Sequence, residues 1–247
     1  MLAEPAGRRT RSSRSADATG SGRARSVSLV PEAQQRDLSG QAVRGWPGDA
    51  TQGHLDGHRL VAVARSIAER LLGGMGTRWA HTRGVAERAT VLAPAVAAEE
   101  RPLLVAAAWV HDIGYAETVR RSGFHPLDGA GHLRDRGLSE LLAGLVAHHS
   151  CARFTAVVHG LDRELAAFAD PRCWTGPLAD ALTAADQTTG PDGDPMDVES
   201  RLADMLRRHG PDSPQARVHH LRAPVVRAAV THTEHRLLAA RLADAFL

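Results

Sequence analysis

From about residue 54 onward, apolar residues recur every three or four positions, and glycine or proline closes most of the runs. Leu60, Val63, Ile67 and Leu71 set the pattern before Gly73-Gly74 ends it. A period near 3.6 places such residues on one stripe of a helix, whereas a half-buried strand needs strict alternation. The same spacing predicts helices over 79–92, 102–112, 125–136, 138–149, 177–186, 196–209 and 213–246, the last kinked at Pro224, with a short one over 162–168. No stretch alternates convincingly and no repeat is present. The predicted fold class is all-α, with helices packed around one core. Aromatic residues make up 4% of the chain against 43% hydrophobic, so that core must consist mainly of Leu, Val and Ala.

Residues 1–52 do not share the pattern. They are rich in Arg, Ser, Gly and Ala, with eight arginines against five acids. Such a segment cannot bury enough apolar surface to offset its ordering entropy, so it reads as a disordered tail ahead of one helical domain over 53–247. An anion-binding arm and a start codon further downstream are the other options. The formal net charge of +2 is too small to imply specific nucleic-acid or membrane-surface binding. No apolar run is long enough to span a bilayer and no secretory leader is evident, so the expected location is cytoplasmic. Two cysteines, Cys151 and Cys173, make no disulfide framework.

The polar residues that interrupt the apolar stripes carry the chemistry. In "AAWVHDIGY" an apolar run over 104–110 ends in His111 and Asp112. His81 shares a stripe with Val85, Ala89 and Leu92. His149 continues the stripe of Leu138, Leu141, Leu142 and Leu145, and Asp186 that of Leu178 and Leu182. One inward histidine is most often bonded to a backbone carbonyl. Four helices aiming His and Asp inward form a nitrogen and oxygen donor set suited to a divalent first-row metal, and a cation would stabilise the buried carboxylates. His125 and His148 bring the candidates to seven, more than one tetrahedral ion needs. Two ions bridged by Asp112 are expected. Fe, Mn, Ni, Mg and Zn all remain compatible.

The ordered set of His81 in "HTRGVAERA", His111-Asp112 in "HDIGY" and Asp186 in "TAADQTTG" resembles the HD-domain superfamily of metal-dependent phosphohydrolases. His125 in "HPLDGA" and His148-His149 in "AHHS" are similar to the extra histidines of its bimetallic members, such as the cyclic-di-GMP phosphodiesterases and diadenosine tetraphosphate hydrolases. The resemblance covers about residues 81–186. It implies that His81, His111, Asp112 and Asp186 hold one metal and that His125, His148 and His149 hold a second. It also implies that Asp112 bridges them as the central catalytic group, with a metal-bound hydroxide as nucleophile. The implied substrate is a nucleotide or other small phosphate ester.

Two departures qualify that picture. "HHSCARFTA" lacks the Gly-Tyr-Pro signature of the cyclic-di-GMP enzymes. Tyr115 stands where many relatives carry a phosphate-contacting lysine, and Arg153, just beyond His149, is the candidate to replace it. A di-iron oxygenase with overlapping ligands and a catalytically silent nucleotide-binding protein are the competing functions. "GPDGDP" reads as a turn, and His232 and His235 as decoration of an exposed helix face.

Overall fold

The computed structural model describes residues 56–245, and these fall within one compact unit. The tail assigned to residues 1–52 lies outside the described residues. Eleven α-helices are described: α1 Gly57–Leu72, α2 Thr77–Leu92, α3 Arg101–Val110, α4 His125–Asp135, α5 Glu140–His148, α6 Arg153–His159, α7 Asp162–Leu165, α8 Pro177–Gln187, α9 Val198–His209, α10 Pro214–Arg217 and α11 His219–Ala245. The only β element among them is an isolated bridge between Thr189 and Pro195. The bridge closes the "TTGPDGDP" turn, in which the Gly190 N–H donates to the Asp194 carbonyl. No single described helix is long and apolar enough to cross a membrane.

The apolar α3 forms the centre. Leu104, Ala106, Ala107, Ala108 and Val110 are all fully buried, and α1, α2, α5 and α8 pack around it. Leu72, Leu92, Leu133, Leu142, Leu145 and Leu182 complete a core built of aliphatic side chains. α11 lies along α8, and α4 lies along α5. Local chemistry sets the helix ends. Asp56, Ser139, Asp197 and Ser213 each accept a backbone N–H in the first turn of α1, α5, α9 and α10. Gly160 ends α6 in the left-handed region at φ 68°.

The structure differs from the sequence expectation at three places that matter. α3 stops at Val110, so His111 and Asp112 stand at its C-terminal end and in the turn that follows. α5 stops at His148, and His149 leaves it with extended backbone at ψ 154°. The chain then passes through Ser150 and Cys151 at φ 52° and 57°, the only described non-glycine residues with positive φ. It re-enters as α6, a helix the periodicity did not predict, and the two segments meet at 82°. Finally, the break near the C-terminus falls at Val218, between α10 and α11, and α11 continues through Pro224.

Candidate metal centre

Three histidines share one arrangement. The Nδ1 of His81 donates to the Gly190 carbonyl at 2.9 Å, that of His111 to Ala108 at 2.8 Å and that of His149 to Val146 at 2.5 Å. A carbonyl only accepts, so each Nδ1 carries a ring hydrogen, which turns each Nε2 to the inside and makes it the atom available to a metal. This is how metal-ligating histidines are oriented. The His111 Nε2 is buried and makes no hydrogen bond. A buried nitrogen left in that state is costly unless something else occupies its lone pair.

All three Nε2 atoms face carboxylates. The His81 Nε2 is 3.0 Å from Asp186 Oδ1 and 4.0 Å from Asp112 Oδ2. The His111 Nε2 is 3.3 Å from Asp112 Oδ2. The other oxygen of Asp112, Oδ1, faces His125 Nε2 at 3.4 Å and His149 Nε2 at 3.7 Å. The two groups, His81–His111–Asp112 and Asp112–His125–His149, each keep their ligand atoms within 4.8 Å of one another. Asp112 belongs to both and gives one oxygen to each. Asp186 joins the first group through His81. Metal–ligand bonds of about 2.0–2.2 Å place neighbouring ligand atoms about 3 Å apart, so each group has a donor set and spacing that could hold a divalent metal ion.

Local packing places these side chains. Gly114, two residues after Asp112, lies where a Cβ would overlap the His125 carbonyl oxygen and come within 2.7 Å of the Gly129 nitrogen. Only glycine lets α4 approach this closely, and the approach carries His125 to Asp112. Tyr115 then stacks on His125, with ring centroids 4.0 Å apart. Beyond His149, the left-handed Ser150 sends its hydroxyl to Asp186 Oδ2. Gln187 Nε2 donates to both, at 2.8 and 3.0 Å.

Charge balance also comes from arginine. Arg78 Nη1 donates to Asp112 Oδ2 at 2.5 Å, and its guanidinium lies 4.1 Å from the Tyr115 ring centroid. Burial by itself would push the Asp112 carboxyl up, but the adjoining His111 and Arg78 outweigh it and hold the carboxyl well below the usual range. Burial, with Arg78 and the other histidines nearby, holds His125 well below its ordinary value and keeps it neutral. Burial and the Asp112 carboxylate push the Tyr115 hydroxyl up to about 12, so it stays protonated.

Two of the predicted site residues are elsewhere. His148 donates from Nε2 to the Phe168 carbonyl at 3.0 Å and packs on Trp174. It is the last residue of α5, and the turn to extended backbone aims His149, not His148, at Asp112. Arg153 lies on the far side of the same bend, over the Phe154 ring and 3.3 Å from the Trp174 carbonyl. Neither lines the cavity over the cluster. That cavity, about 280 Å³, is lined instead by Arg78, Arg201 and Arg222 beside the ligand set. Arg201 and Arg222 each sit four residues before a buried apolar residue, Met205 and Val226, a spacing too common among 30 basic residues to single them out.

An all-helical fold with two His/Asp groups sharing one carboxylate defines an HD-type helical protein. The HD domain family model matches residues 78–245, and the chain belongs to that family. No curated protein and no solved structure matches it.

Proposed function

We propose that the protein is a metal-dependent phosphohydrolase acting on a nucleotide or another small phosphate ester. The observation that carries the reading is Asp112 presenting one oxygen to each of two histidine groups. His81, His111, Asp112 and Asp186 would hold one ion, and Asp112, His125 and His149 the other. A bound divalent pair supplies Lewis acidity and an acidified water.

The chain's own residues do the rest. The backbone carbonyls of Gly190, Ala108 and Val146 fix the tautomer and orientation of three ligand rings. Arg78 stands beside Asp112 as the cation nearest the reacting phosphoryl group, the role in which the relatives' lysine is replaced. Neutral Tyr115 holds Arg78 on one face and His125 on the other. In hydrolysis a water oxygen bonds to phosphorus, the ester P–O bond breaks, and the leaving oxygen takes a proton. The cationic wall of arginines favours this chemistry over oxygenation of a neutral substrate.

The test is an anaerobic preparation assayed against a panel of nucleotides and phosphodiesters with Mn, Fe, Ni or Mg. Metal-dependent release of alcohol or phosphate supports the reading. Oxygen consumption with reduced iron, and no turnover of any phosphate ester, replaces it with the di-iron oxygenase.

A further inference from the structure

Two buried arginines line the cavity, one with no carboxylate partner among the described residues and the other with only long, shared ion pairs. Arg222 is 7% exposed, and no carboxylate lies within 4.0 Å of it among the described residues. Its Nε donates to the Ser150 carbonyl at 2.9 Å, while its Nη1 is buried with no hydrogen-bond partner. Arg201, 8% exposed, has only long ion pairs, each with a carboxylate that other groups also engage. It stands 3.7 Å from Asp186 Oδ1 and 3.7 Å from Asp204 Oδ2. Asp204 is already engaged by Arg207 at 2.5 Å and Arg208 at 2.7 Å. The Arg201 Nε is also buried and unpartnered. Both residues line the 280 Å³ cavity. Burial lowers the Arg222 guanidinium from its ordinary value against the opposing pull of Cys151 and Asp186. Two buried guanidiniums facing one cavity, one of them without a carboxylate partner, make it a favourable place for an anion.

Their place in the fold separates them from Arg78. Arg78 bonds Asp112, at the side of the centre that both histidine groups share. Arg201 approaches Asp186, and Arg222 holds the backbone of Ser150, whose hydroxyl also reaches Asp186. The cluster thus has a cation on its Asp112 side and a pair of cations on its Asp186 side. His81 Nε2 lies between, 4.0 Å from one carboxylate and 3.0 Å from the other. Both sides therefore border the same histidine and open on the same cavity.

We infer that Arg201 and Arg222 form a second anion subsite, so that the substrate class is a compound with two linked phosphoryl groups, one over the metal cluster beside Arg78 and the other held by this pair. The inference rests on the phosphohydrolase reading for the first phosphoryl group. Guanidinium suits the second, because its planar fork donates two hydrogen bonds to phosphate oxygens.

The experiment is isothermal titration of the metal-loaded protein with inorganic pyrophosphate and with inorganic phosphate, with metal content measured after each run. The wild-type protein should bind pyrophosphate at least about tenfold more tightly than phosphate. Charge-assisted hydrogen bonds of this kind correspond to about ten- to a hundredfold in affinity. Arg201→Gln and Arg222→Gln should each lose that much pyrophosphate affinity with metal content unchanged, and Arg201→Lys should recover part of it. Arg222→Gln removes a support of Ser150. Should it fail to fold, the wild-type preference and the Arg201 pair decide the matter alone. Equal binding of the two anions by the wild type, or an undiminished preference in Arg201→Gln, overturns the subsite. Turnover of monoesters without a pyrophosphate preference removes the subsite and leaves the phosphohydrolase. An Arg201-dependent preference without turnover of any ester does the reverse.

Discussion

Replacing Gly114 with alanine tests whether close backbone packing positions the second histidine group. The added Cβ would overlap the His125 carbonyl oxygen and lie 2.7 Å from both the His125 carbonyl carbon and the Gly129 nitrogen. Optimal separation of nonbonded heavy atoms starts near 3.5 Å, so these contacts are short by ~0.8 Å and the oxygen contact by more. The obstructing atoms are backbone and cannot rotate away. α4 must therefore move outward by about 1 Å, carrying His125 with it. Overpacking of this kind costs about 1–3 kcal/mol, or roughly 2–12 °C in Tm for a domain of this size. The functional cost is of similar size in free energy, because a displacement of about 1 Å at a reactive site is worth ~100-fold in rate. The His125 Nε2, now 3.4 Å from Asp112 Oδ1, would be drawn out of the second group. The first group contains no residue of α4 and should survive. Calorimetry, elemental analysis and turnover on the best ester from the panel would be measured on Gly114→Ala. We expect a folded protein with lower Tm, about one metal equivalent lost and rate reduced about a hundredfold. Unchanged Tm with full metal content would refute the argument that the Gly114–His125 approach builds this half of the centre.

Other substitutions separate the residues the fold brings together from those it does not. Asp112→Asn should lower metal content and abolish turnover, because a neutral amide is a poor bridging ligand and Arg78 loses its partner; wild-type turnover would exclude the shared-carboxylate arrangement. Arg78→Ala should reduce kcat/KM by about ten- to a hundredfold, whereas Arg153→Ala, packed on Phe154 away from the cavity, should leave the kinetics of a phosphate ester unchanged. Steady-state kinetics on both variants decides this, and the opposite ranking would restore Arg153 to the site. His148→Ala should destabilise the domain by about 1–3 kcal/mol through the lost Phe168 hydrogen bond and Trp174 packing while keeping its full metal complement, as denaturant melts and elemental analysis would record.

Much of this architecture is written in local patterns. The helical stripes of Leu, Val and Ala gave α1 to α5, α8 and α9 to within a few residues, because a 3.6-residue period has one packing solution for so aliphatic a chain. His81, His111, Asp112 and Asp186 stand out for a related reason, since polar groups that continue an apolar stripe must end up inside. His148 and His149 mark where the method stops. Both neighbour the same stripe, and the choice between them depends on α5 ending at His148, one residue short of the predicted end. That ending is tied to left-handed Ser150 and Cys151, conformations no propensity favours for these residues. The same bend creates α6 and takes Arg153 away from the cavity, so proximity in sequence misled. Arg78, Arg201 and Arg222 were hidden by number among 30 basic residues, all arginine. Only tertiary packing shows which of them are buried against the cluster.

The most direct test of the account is anomalous diffraction from a crystal of the metal-loaded protein, recorded on both sides of the metal's absorption edge. Two anomalous peaks are expected, one among His81, His111, Asp112 and Asp186 and one among Asp112, His125 and His149, with Asp112 giving an oxygen to each. Absence of any peak at Asp112, or a peak centred on His148 in place of His149, would contradict it.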